Sequence, residues 1–302
     1  MSVGKRPSMR EKPANCTHPL AYENPQFLNS PDGRILRILS EYAEPLARFR
    51  REQIQDTVVF FGSARFHSRE AIERDQAALG DSVRQLSAEQ RAIQKKRTHA
   101  ALAMSHYYDD ARRLAFLLSQ WSIQIPARRR RFVVTTGGGP GIMEAANLGA
   151  KEAGAKTIGL NIHLPLEQCS NPYITPSLNF DFHYFFMRKF WFAYLAKALV
   201  IFPGGFGTLD ELFEILTLAQ TEKLAKKILV VIYGSEYWHR LIDFNVLIEA
   251  GAICREDLEL FKIVDSPEEG FEFLRDGLVR YHLRPDTERK AEAMPEIAKT
   301  NP

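Results

Sequence analysis

The chain has 302 residues, of which 45% are hydrophobic and 25% charged, and a formal net charge of +3. That is enough chain for one large α/β domain or two small ones, with the composition of an ordinary globular protein. The small net charge gives no reason to expect a nucleic-acid partner. No run approaches the ~18 apolar residues of a membrane helix. The N-terminal segment MSVGKRPSMREKPANC has no apolar h-region, and Cys16, Cys169 and Cys254 have no metal or redox spacing. The expectation is a cytoplasmic protein with free thiols and no cofactor, metal, membrane or nucleic-acid partner.

In chain order, an irregular arm over 1–30 gives way to a helix running from about Ser30 to Glu52, kinked at Pro45. Thr57–Phe61 is a buried-strand run closed by Gly62, which puts Ser63 and Arg65 at the carboxyl end of a first parallel strand. These two are candidate nucleotide contacts. The stretch 69–121 is a helical insertion, solvated over 77–100 and amphipathic near its end at Leu102, Tyr107, Ala111, Leu114, Leu117 and Leu118. Arg128–Arg131 is an exposed basic turn before the strand Phe132–Thr135. A glycine turn, Gly137–Gly141, then leads into the helix Ile142–Ala153.

Strands follow at Lys156–Leu160 and Asn179–Phe185, and Arg188 and Lys189 lie at the start of the helix Met187–Ala196. Trp191 and its aromatic neighbours on that helix suit core or dimer packing better than base stacking. The strand Ala198–Phe202 enters the turn Pro203–Gly207, and a helix over Thr208–Gln220 leaves it. The strand Lys227–Tyr233, the helix Glu236–Glu249, the strand Phe261–Val264 and the helix Pro267–Tyr281 complete the order. Strand and helix alternate with short connections. That pattern specifies an α/β, Rossmann-like, mainly parallel sheet with helices on both faces. The expected domains are an arm and helix over 1–56, one core domain over 57–282 and a mobile tail over 283–302.

The glycine turns are the chemical signal. A strand, a glycine turn and a helix N-terminus make a ready anion site, because free N–H groups and the helix dipole both favour negative charge. Neither turn has the lysine of a P-loop, and both lack the third glycine of a dinucleotide fingerprint. Each turn on its own is equally consistent with a tight connection needing positive φ. Thr208 can cap its helix and donate its hydroxyl to a phosphate. Asp210 and Glu211 follow in the same first turn, where a bound anion would repel them unless they serve another part of the ligand. A phosphorylated sugar satisfies both ends.

TGGGPGIMEAAN (Thr136–Asn147), MRK (Met187–Lys189) and PGGFGTLDE (Pro203–Glu211) resemble the Lonely Guy (LOG) family, long labelled "lysine decarboxylase-like", and in particular its bacterial long-chain branch. The resemblance covers roughly Thr57 to Val264. It implies a phosphoribohydrolase that cleaves the N-glycosidic bond of AMP or a cytokinin riboside monophosphate, releasing free base and ribose 5-phosphate. Arg188 and Glu211 would then be catalytic, and Gly204, Gly205, Gly207 and Thr208 would hold the phosphate. Lys189 and Thr217 would line the nucleotide site, with Gly138 and Gly139 of the first loop also in contact. The partners are a small nucleotide and further copies of the chain, as a homodimer or larger homo-oligomer.

The chemistry agrees with that reading. Glycosidic cleavage builds positive charge on the ribose, which a fixed carboxylate stabilises, and negative charge on the base, which an arginine can meet. Asp210 and Glu144 are candidates for a second carboxylate. Neighbours on a helix point ~100° apart, so Asp210 reads as a helix N-terminal charge and Glu144 as an outer residue of the other loop. No lysine stands out as a Schiff-base former for decarboxylation. The alternative is a nucleotide-binding or cofactor-carrier protein without catalysis.

Overall fold

The computed structural model describes residues 19–84, 87–163, 169–223 and 226–283. Most of the expected irregular arm, Cys16 and nearly all of the expected mobile tail lie outside them. By its contacts the chain divides into Met1–Glu44 and Pro45–Pro302. In the first unit a short helix α1 (Pro25–Leu28) is capped by Asn24, whose side chain accepts from the Gln26 and Phe27 amides at 3.1 and 3.3 Å. Helix α2 (Arg34–Arg51) follows, and the division between the units falls within it, just before Pro45.

Seven parallel strands form the sheet of the second unit: β1 (Thr57–Phe61), β2 (Val133–Thr136), β3 (Ile158–Ile162), β4 (Asn179–Phe182), β5 (Ala196–Ile201), β6 (Leu229–Tyr233) and β7 (Phe261–Val264). Their order is β4-β3-β2-β1-β5-β6-β7. The β-branched and aromatic runs of β1, β2 and β6 are buried along their whole length, as strands covered on both faces must be. Between the strands run α3 (Arg69–Arg84), α4 (Ala88–Met104), α5 (His106–Ser122), α6 (Ile142–Glu152), α7 (Phe185–Leu195), α8 (Phe206–Gln220), α9 (Ser235–Leu241) and α10 (Phe244–Glu249), and α11 (Pro267–Leu278) follows the last.

Alternation along β1 separates the two helical layers. Val58 and Phe60 join one core with α5, α6 and α11. Phe61 points the other way onto Phe192 of α7, with ring centroids 4.8 Å apart. On α7, Trp191 is 2% exposed and packs at a tilt against Phe49, so Trp191 and Phe192 serve the core, whereas Phe185, Phe186 and Tyr194 of the same helix are exposed. Phe49 also meets Phe180 at 4.9 Å, which ties the end of α2 to the sheet.

The stretch 69–121 is not a single excursion. Helices α3 and α4 have largely exposed faces, whereas α5 buries Tyr107, Ala111, Leu114 and Leu118. It is the crossover helix that any parallel β1–β2 pair requires. The expected single helix over 236–249 is two. Asp243 accepts the Asn245 amide at 3.0 Å and starts α10 afresh, since an N-cap aspartate competes with continuing the turn.

Strand order reverses between β1 and β5. The chain builds outward from β1 to β4 and then returns to β1's other side. The carboxyl ends of β1 and β5 therefore flank a topological switch point, the place where open α/β sheets bind ligands.

Candidate active site

Three connections meet at that edge. The β1 loop sits in the middle and ties the other two together. The Ser63 amide donates to the Pro203 carbonyl at 3.0 Å, and the Ser63 carbonyl accepts from the Ile142 amide at 3.1 Å. Ser63 is thus half-buried as a joint between loops, while Arg65 is exposed beside it.

The two glycine loops, alike in sequence, differ in physics. In the first, Gly138 and Gly141 have φ of +75° and +69°. A Cβ on Gly138 would lie 2.0 Å from Asn161 Oδ1, and one on Gly141 would lie 2.4 Å from the Ser63 carbonyl. The Gly138 amide donates to Thr136 Oγ1 at 3.0 Å. Buried Asn171 donates from Nδ2 to the Gly138 and Gly139 carbonyls, each at 3.1 Å, and to Asn147 Oδ1 at 2.9 Å. Gly138 and Gly139 are therefore bound into the framework, and the Gly138 amide is not free for a ligand. This loop needs glycine for backbone reasons. Gly138→Ala is expected to lower stability by roughly 2 kcal/mol or more, read as a drop in Tm.

The second loop is the reverse. No residue from Gly204 to Gly207 has positive φ, and a Cβ on Gly205 or Gly207 would meet nothing within 4 Å. Both positions are exposed. The tight-turn explanation does not apply here, and a glycine inside a helical turn costs up to ~1 kcal/mol relative to alanine. What the absent side chains leave is open space over the start of α8. The cap residue is Gly205, with no side-chain cap, and the first-turn bond is Leu209 N–H to Gly205 carbonyl at 3.0 Å. The amides of Phe206, Gly207 and Thr208 thus begin a helix with no partner in that helix.

Thr208 is consequently not the cap the sequence indicates. The helix starts two residues earlier because extended Gly205 already occupies the cap position. Thr208 is 6% exposed and packs under Gly204, whose Cβ would sit 2.1 Å from Thr208 Oγ1. The Gly204 carbonyl accepts from the Tyr237 hydroxyl at 2.8 Å, which fixes the turn from the α9 side.

Glu211 lies one turn further along α8 and is 8% exposed. Burial pushes its carboxyl up to about 7, against the opposing pull of Lys189 and Arg188. Arg188, on the first turns of α7, donates from Nε to the Leu160 carbonyl at 2.7 Å and from Nη2 to the Gly137 carbonyl at 3.4 Å. Burial lowers its pKa and the Glu211 charge raises it. The guanidinium is thereby held in a fixed plane at the ends of β2 and β3, within the field of Glu211.

Lys189, the neighbour of Arg188, pairs with Asp210 Oδ2 at 2.7 Å and Glu214 Oε2 at 2.8 Å. These bonds outweigh the cost of its burial and hold it up at about 12. Asp210 is spent on Lys189. Thr217 is exposed about three turns along α8, with its hydroxyl donating to the Phe213 carbonyl at 2.7 Å. Lys189 and Thr217 both line a shallow surface cleft of about 590 Å3 that runs along α8 from Phe206 at its head to Leu218. Glu144 accepts from the Tyr108 hydroxyl at 3.0 Å and braces α6 on α5, so it is not positioned as a second acid. Asn171 and Tyr237, which hold the loops, carry no motif signal. An asparagine in a proline-containing loop reads as turn chemistry until its fold neighbours are known.

Residues 143–274 match the protein family described as "possible lysine decarboxylase". No curated protein is significantly similar to the chain. Among solved structures, a molybdenum cofactor binding protein from Rippkaea orientalis is 19% identical, covering 56% of this chain and 86% of its own, at a TM-score of 0.39. The molybdenum cofactor carrier protein of Chlamydomonas reinhardtii is 18% identical, covering 74% and 99%, at a TM-score of 0.43. The segment matched by the family is less than half of the chain; it contains Arg188, Glu211 and the Pro203–Gly207 loop, and it is similar to that family.

Proposed function

We propose that the protein is a cytoplasmic nucleoside 5′-monophosphate phosphoribohydrolase, cleaving AMP or a related monophosphate to free base and ribose 5-phosphate. The observation that carries this reading is the head of α8: an uncapped helix start with two glycines that the fold itself does not need, one turn from the buried Glu211 carboxyl, which lies in the field of the half-buried Arg188 guanidinium. The 5′-phosphate would take the free amides, and that remote binding energy would orient the glycosidic bond. Ionised Glu211 would face the cationic ribose, and Arg188 the departing base. A carrier would hold a ligand on the same loop without turnover, and has no use for a carboxyl kept near neutrality in a dry site. Incubation with AMP should give adenine and ribose 5-phosphate in equal amounts; bound AMP recovered intact would refute the reading.

Two pH effects follow. Ionised Glu211 is the working form, so kcat/KM should rise with pH through about 7, and Glu211→Gln should flatten that limb. Stability runs the other way. The folded carboxyl titrates above its ordinary value of 4.5, so the fold's preference for the neutral form is fully present below 4.5 and is lost as pH climbs through about 7. Glu211→Gln should therefore raise Tm at pH 8 and leave it nearly unchanged at pH 4, as differential scanning calorimetry would show.

The quaternary part of the reading is a homodimer joined along the outer face of α8. Phe206 is 92% exposed and Phe213 39%. Together with Leu209 and Leu218 they line the 590 Å3 cleft beside the Lys189–Asp210–Glu214 cluster, whose two signs of charge make the face self-complementary. In sedimentation velocity the protein should run as a dimer and Phe213→Asp as a monomer.

A further inference from the structure

The amino edge of the sheet, opposite the site above, carries a second cavity. Arg128–Arg131, just before β2, and Lys156, just before β3, line a space of about 260 Å3 with Ser119 and Ser122. No acidic side chain lines it. Two of its five cations are matched. Arg131 Nε pairs with Asp56 Oδ2 at 2.7 Å while its Nη2 donates to the His282 carbonyl at 2.9 Å, and Lys156 pairs with Glu52. The guanidiniums of Arg128, Arg129 and Arg130 have no hydrogen-bond or ion-pair partner among the described residues.

The bland explanation for such charge is compensation of the negative end of α5. The bonding argues against it. The last carbonyls of α5 are already taken: Ser119 by the Ile123 amide at 3.1 Å, Trp121 by Gln124 at 3.1 Å and Ser122 by Ile125 at 3.3 Å. No guanidinium of the run caps this helix. Phe132, directly after the run, has φ of +52° and its amide donates to Asp56 Oδ1 at 2.7 Å, so the run enters β2 through a fixed turn.

We propose that this cavity is a second anion site, taking a small polyanion with two or more phosphate groups, distinct from the nucleotide site at the carboxyl edge. Three unmatched guanidiniums suit a pyrophosphate group, which arginine forks grip more specifically than point charges do. The Ser122 hydroxyl is already donated to the Ser119 carbonyl at 3.1 Å, so the guanidiniums carry the site. The concave shape and the lack of aromatics within the run fit a small ligand better than a nucleic-acid strand.

The test is calorimetric titration of inorganic pyrophosphate into the full chain, with the α8 loop blocked by Gly205→Glu so that only the second site is read. One site per chain is expected. Its affinity should fall at least tenfold in the triple variant R128A/R129A/R130A, whose three exposed side chains leave the thermal melt unchanged. It should stay within twofold in R91A/K95A/K96A, which removes the same charge from exposed positions of α4. No binding in the loop-blocked protein, retained affinity in the arginine variant, or equal loss in the α4 control would overturn the proposal. So would a single-stranded oligonucleotide that binds this edge more tightly than pyrophosphate. The readout is binding, so it stands apart from whether AMP is hydrolysed.

Discussion

Replacing Glu211 with alanine is expected to cut base release from AMP by about a thousandfold or more while nucleotide affinity changes only a few-fold. The carboxyl is one turn from the phosphate loop and is not part of it, so removing it leaves the free amides of Phe206, Gly207 and Thr208 in place. What is lost is the one buried negative charge beside Arg188, whose value is realised only as the ribose becomes cationic. Binding and turnover therefore separate: kcat falls with little change in KM. Arg188→Ala should also be slow, but it differs in kind. Its Nε bond to the Leu160 carbonyl braces the end of β3, so the variant loses stability as well. Because the two groups act on one transition state, the double variant should be little worse than the slower single. Stopped-time chromatography of adenine, with equilibrium dialysis of AMP, checks both parts. Weakened binding equal to the loss of turnover would place Glu211 in ligand holding instead of chemistry.

The second large effect concerns Gly207, where function and stability should move in opposite directions. Alanine at this exposed helical position meets nothing within 4 Å and needs no change of φ, so Gly207→Ala should stabilise the fold by about 0.5–1 kcal/mol. The same methyl group fills the space over the helix start and should raise KM for AMP about tenfold or more. Gly204→Ala gives the contrast, since its Cβ would lie 2.1 Å from buried Thr208 Oγ1 and should cost stability first. A higher Tm with weaker substrate binding in Gly207→Ala would mark the glycine as kept for a ligand. Unchanged KM would remove the main support for a phosphate at this loop.

Much of the fold is legible in the sequence because its strands are short unbroken runs of β-branched and aromatic residues. Thr57–Phe61 and Phe261–Val264 have the same ends in sequence and structure. Legibility fails where the deciding contact is distant in sequence. The burial of α5 depends on strands on either side of it, so its polar N-terminal neighbours make it look like the end of an insertion. The break at Asp243 depends on one side chain choosing a cap over a continued helix.

The same limit applies to the site. Composition cannot separate the Gly137–Gly141 turn from the Pro203–Gly207 turn. Backbone φ and the space around each missing Cβ separate them at once, leaving one loop as scaffold and the other as open surface. Arg188 and Glu211 are visible in sequence through a motif. Asn171, which clamps three acceptors, is visible only through the contacts its loop makes on folding.

The most direct measurement is base release from matched substrates: AMP, adenosine and ATP, each followed by chromatography of adenine with the wild-type protein and Glu211→Ala. Release from AMP alone, absent in the variant, is the result expected from a phosphate anchor that orients a glycosidic bond toward Glu211. Equal release from adenosine, or tight AMP binding with no adenine formed by the wild type, would contradict it.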